Sequence, residues 1–133
     1  MAEDTVAARL VKQRVRNRLI EYLTLASSFD KQREYQTSAP TISVPNDVIN
    51  QWEDWASEQH LVRFGPPVFT SDEGAALAIF GRTLEQVAHG THAELPSLEE
   101  TLRLPQWERL RAAAEVALNV FERRGKLPED ESI

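Results

Sequence analysis

Residues 5–29 read TVAARLVKQRVRNRLIEYLTLASSF, and two patterns are superposed in them. Apolar side chains recur at Ala8, Val11, Val15, Leu19, Tyr22, Ala26 and Phe29, in steps of three and four that place them on one face of a helix. Arg9, Lys12, Arg14, Arg16 and Arg18 crowd into the same stretch with no acid among them. At about 100° per residue, Arg9, Lys12 and Arg16 fall on one flank of the apolar stripe and Arg14 and Arg18 on the other. Their stems are expected to cover the edge of the buried face while the charged heads stay in water.

This basic run belongs to a chain of formal net charge −6. Residues 1–36 carry seven Lys and Arg against five Asp and Glu, and residues 37–133 carry eight against sixteen. A layout of this kind favours an anionic partner at one end, or a second copy set head to tail. The basic run and the pair Trp52 and Trp55 are therefore the candidate interaction surface. The two tryptophans stand three residues apart in a helical segment and point roughly the same way, as core or as an aromatic anchor for a partner.

Downstream, Pro40 and Pro45 end the helical pattern, and Thr41 to Val44 favour extended backbone or a short edge strand. Asn46 then reads as the cap of a second helix that carries Val48, Ile49, Trp52, Trp55 and Ala56 and ends near Glu58. Leu61 to Phe69, with Gly65-Pro66-Pro67, reads as a loop. Thr70 with Glu73 forms a capping box, ahead of a helix that buries Leu77, Phe80, Leu84 and Val87 and stops at Gly90. Ser97 with Glu100 repeats the signal for a short helix. Pro105 opens the last one, whose face is Trp107, Leu110, Ala114, Ala117 and Phe121, with Gly125 as its stop. The fold expected is all-α, a small bundle of four to five helices with one minor extended element near residues 41–44. Residues 1–126 form a single helical domain, and residues 127–133 form an acidic tail that frays.

Several chemistries are excluded or left without support. No cysteine is present, so disulfides, thiolate catalysis, cysteine zinc sites and iron–sulfur clusters are ruled out. His89 and His92 share a His-x-x-His spacing with Glu85 one turn earlier, but the helix stop at Gly90 turns the two imidazoles apart, so no metal is expected. The glycines at 65, 74, 81, 90 and 125 match neither a dinucleotide fingerprint nor a P-loop, and no cofactor is expected. No apolar run approaches the ~20 residues of a membrane span, and without an export signal the expected location is the cytoplasm.

These features lead to the expectation of a non-enzymatic protein-interaction module, an adaptor, inhibitor or immunity-type partner among small acidic cytosolic proteins of bacterial type. The alternative is a regulator that contacts nucleic acid through the basic helix, although the acidic body makes nucleic acid a poor partner. A metal-assisted hydrolase ranks last. An unbroken helix from Thr5 to Tyr35 would reach about 45 Å, beyond the ~36 Å diameter of a domain this size. Either the helix bends near Ser27 and Ser28, or a second copy covers the overhang and gives a homodimer through the N-terminal helix.

Overall fold

The chain changes direction at Ser27, and much of the architecture follows from that break. In the computed structural model, which describes residues 5–56, 65–90 and 96–133, helix α1 spans Val6–Ala26 and α2 spans Phe29–Ser38. Ser28 adopts extended backbone, and its hydroxyl caps α2 by accepting from the Lys31 N–H at 3.2 Å. The open end of α1 is closed from the other side. The buried Gln32 amide donates to the carbonyls of Leu25 and Ala26, and its Oε1 accepts from the Trp107 indole at 3.0 Å. At 21 residues α1 is about 32 Å long, within the diameter of the domain, so the overhang that suggested a homodimer is absent.

Helix α3 spans Val44–Ala56, α4 Ser71–Gly90, α5 Leu98–Thr101 and α6 Pro105–Glu122. The protein is all-α, with six helices and no strand among the described residues. The edge strand expected near residues 41–44 is replaced by a turn and the start of α3. Proline lacks only an N–H that the first helical turn leaves unpaired, so Pro45 enters the helix instead of excluding it. The start moves from Asn46 back to Ser43, whose carbonyl accepts the Asp47 N–H at 3.0 Å. The expected end of this helix near Glu58, and Leu61 to Phe64 of the expected loop, lie outside the described residues.

Helices α4 and α6 run antiparallel, since Asp72 at the start of α4 meets Arg123 just past the end of α6 at 3.2 Å. Their expected faces are buried residue for residue: Leu77, Phe80, Leu84 and Val87 on one, Trp107, Leu110, Ala114, Ala117 and Phe121 on the other. Two aromatic clusters fill the core. Trp52 lies 4.8 Å from Phe80 and 6.1 Å from Tyr22, and the Tyr22 hydroxyl donates to the Val48 carbonyl at 2.7 Å. Phe69 and Phe121 meet edge to face at 6.0 Å. A Cβ on Gly81 would stand 3.0 Å from the Trp52 ring, so the absence of a side chain there lets α3 lie close on α4.

The buried face of α1 is turned from the one expected. Leu19, Tyr22 and Ala26 are core, as their spacing predicts, and Val15 packs against it, but Val11 is 55% exposed. In its place Gln13, Arg16 and Asn17 are buried. The first half of α1 thus packs through polar groups, which is possible only if each finds a partner.

Two stability outcomes follow from these contacts. Gly81→Leu forces a side chain into the Trp52 ring and should lower unfolding free energy by about 1–3 kcal/mol in urea denaturation. Arg16→Ala leaves a carboxylate buried beside a void and should cost about 3–5 kcal/mol by the same measurement.

Candidate functional site

Of the five basic residues singled out in the sequence, Arg16 is completely buried, which corrects the expectation that its head stays in water. All five of its N–H groups have acceptors. Nε donates to the Gly125 carbonyl at 3.1 Å, Nη1 to the Val68 carbonyl at 3.1 Å and to Glu73 Oε1, and Nη2 to Glu73 Oε2 at 2.9 Å and to the Phe121 carbonyl at 3.3 Å. The guanidinium also lies over the Phe121 ring, 4.9 Å from its centre.

Glu73 is the residue that the capping box predicts. It donates its N–H to the Thr70 hydroxyl at 3.1 Å, and its Oε1 accepts the Thr70 N–H at 2.9 Å. The carboxylate that closes the box is also the counter-ion of Arg16 and of Arg124, the latter at 3.2 Å. Burial opposes its ionisation, but the bonds from Arg16, the Thr70 N–H and Arg124 outweigh it and hold the Glu73 carboxyl below the usual carboxylate range. All five N–H groups of Arg16 and both carboxylate oxygens of Glu73 are engaged internally, so this buried pair offers no open site for a ligand. Its role is structural.

Two more of the basic residues turn towards the C-terminal segment. Arg9 donates to the Ile133 carbonyl at 2.8 Å and Arg14 to the Glu129 carbonyl at 3.2 Å, while Arg18 pairs with Glu21 at 3.3 Å and Lys12 is half-buried. Gln13 donates to the carbonyls of Pro128 and Glu131 and accepts the Ile133 N–H. Asn17 both donates to and accepts from the backbone of Leu127, at 2.8 and 2.9 Å. Residues 127–133, expected to fray, therefore lie along α1. Side-chain amides read the backbone of this segment, so its sequence carries no apolar pattern to announce the contact.

Trp52 is 5% exposed and belongs to the core, not to a docking surface. The side chain of Trp55 lies outside the described residues. So does His92, while His89 and Glu85 are exposed on α4, and no three His, Asp or Glu side chains converge among the described residues. The hydrogen-bonded Ser and Thr hydroxyls in the described residues cap helices or donate to backbone carbonyls, and none engages a His or carboxylate. Tyr35 donates to Asp47 Oδ2 at 2.7 Å, a bond that pushes its phenol pKa up and keeps the proton in place.

Two of the concave surfaces among the described residues lie away from the basic helix. A cleft of about 740 Å³ lies between the end of α2 and the start of α5, crossed by the exposed Arg33–Glu99 pair at 2.9 Å. A groove of about 420 Å³ lies between α4 and α6, lined by Ala75, Ala76, Ile79, Ala113, Val116 and Val120, with the Asp72–Arg123 pair at one end. Ile79 and Val116 are 57% and 62% exposed within this apolar surface. The sequence does carry this groove: Ile79 and Val116 interrupt the polar faces of two helices whose buried stripes are complete without them. No protein-family model matches the chain, and comparison with curated proteins and with solved structures finds no match for it.

The sign of the pH dependence follows from Glu73. Its folded-state pKa is depressed, so its stabilising contribution is fully present above the unfolded value near ~4.3 and is lost as pH falls through the lower folded value. Stability measured by urea denaturation should drop steeply below about pH 4. Glu73→Gln should flatten that limb while lowering stability at neutral pH.

Proposed function

We propose that this chain is a non-enzymatic docking module, a small acidic cytosolic adaptor, inhibitor or immunity-type protein that binds another protein through the groove between α4 and α6. The observation that carries the reading is the pair Ile79 and Val116, two branched aliphatic residues left in water in one groove whose other lining residues are alanine and valine apart from the Asp72–Arg123 pair at its end. Burying such side chains releases about 25 cal/mol per Å² of apolar surface, and a contiguous groove offers a partner this gain at once. Catalysis has no comparable support, because the described residues bring together no nucleophile and base.

The basic helix gives the nucleic-acid alternative little support. Arg16 is enclosed, and Arg9 and Arg14 are turned to backbone carbonyls of the C-terminal segment. With Arg16 paired to Glu73 and Arg18 to Glu21, at most three cations of the run remain there to displace counterions from phosphate.

A photo-crosslinking side chain placed at Val116 in the producing cells tests the reading. The expected result is a discrete adduct with another protein, absent from the Ile79→Asp variant and absent when the crosslinker replaces Arg33 at the other cleft. Adducts that are equal at both positions, or none at Val116, would rule out the groove as a docking surface.

A further inference from the structure

The groove has a charge of its own, opposite in sign to that of the protein. On α6, Glu108, Glu115 and Glu122 recur every seven residues along one flank, and Arg109, Val116 and Arg123 recur every seven along another. The first two acids are tied to Arg111, each at 2.7 Å, on the side of the helix away from α4. On α4, Asp72 and Ile79 occupy the facing flank, and Asp72 is neutralised by Arg123. Further along the two helices, away from the Asp72–Arg123 end and outside the residues that line the groove, stand two exposed arginines. Arg82 stands one turn beyond Ile79, and Arg109 one turn before Ala113. Neither has a carboxylate within ion-pair distance among the described residues, and the acid nearest Arg82 in sequence, the exposed Glu85 one turn beyond it, makes no ion pair among them either. With Asp72 paired to Arg123, Arg82 and Arg109 against the single Glu85 leave this surface a net positive charge on a chain of net charge −6.

We infer that the occupant of the groove is an acidic amphipathic helix of another protein, its apolar residues at i, i+3 or i+4 and i+7 seated on Ile79 and Val116 and its carboxylates meeting Arg82 and Arg109; this rests on the docking role proposed above. A slot between two antiparallel helices accepts a third helix laid along it. The free arginines select its sign, because carboxylates there gain partners and lysines would meet like charge. A second copy of this chain fits less well, since a two-fold contact sets groove on groove and brings Arg82 and Arg109 towards their own equivalents.

The test is fluorescence anisotropy of the full chain with two labelled helical peptides of about 18 residues, identical in their leucines at i, i+4 and i+7 and differing only in glutamate or lysine on the flanks. In about 0.1 M salt the glutamate peptide should bind about tenfold tighter than the lysine peptide. Arg82→Glu with Arg109→Glu should reverse that preference, and Ile79→Asp should abolish binding of both, with circular dichroism unchanged in each variant. Equal affinities, a preference for lysine, or a preference untouched by the double charge reversal would overturn the inference. So would sedimentation equilibrium showing a dimer that Ile79→Asp dissociates, because the occupant would then be a second copy. Should neither peptide bind while the Val116 adduct forms, the docking role stands and the acidic helix is wrong. If the adduct is also missing, both fall.

Discussion

The Arg16–Glu73 pair is the contact on which the rest of the packing depends, and its placement has an electrostatic logic. Glu73 lies in the first turn of α4, where the unpaired N–H groups make the helix end positive, and Arg16 accepts as neighbours the carbonyls of Phe121 and Gly125 at the negative end of α6. A cation from α1 therefore joins the tail of one helix to the head of another. Taking both ions out of water is costly, and a pair of apolar residues of the same volume could match its stability. What the pair supplies is register. A guanidinium with five acceptors fits one arrangement of α1, α4 and α6, and a slipped alternative would strand a buried charge.

Fixing α1 in this way brings its polar face, not its apolar one, against the end of α6 and the segment after it. Gln13 and Asn17 then stand where the backbone of residues 127–133 passes, and their amides supply the partners that a helix or sheet would otherwise provide. Gln32 does the same at the break between α1 and α2. Each buried polar side chain in this half of the molecule satisfies a chain end or a turn. A chain with short helices has many such ends, and side-chain amides suit them because they donate and accept at once.

That arrangement also determines which surface is left apolar. The antiparallel packing of α4 on α6 uses one stripe of each helix for the core and leaves the neighbouring flanks facing each other across an open groove. Arg111 holds Glu108 and Glu115 of α6, and Arg123 neutralises Asp72 at one end, so the lining of the groove is mostly apolar. Of the basic run on α1, Arg16 is enclosed in the core and Arg18 is paired with Glu21, while Arg14 stays exposed.

Local patterns in the sequence determined the all-α class, the buried faces of α4 and α6, the Thr70–Glu73 cap and the stop near Gly125. All of these rest on interactions within four residues of chain or on a periodicity that any apolar core enforces. Only the tertiary structure decided which face of α1 is buried and where its basic residues go, because Arg16 finds its counter-ion 57 residues away and Asn17 its partner 110 residues away. An arginine beside an apolar stripe is expected to stay in water unless a carboxylate is delivered to it, and no spacing rule announces that delivery. The break at Ser27 is of the same kind. Two serines weaken a helix without ending it, and Gln32 and Trp107, brought together by the fold, turn the weak point into a stop.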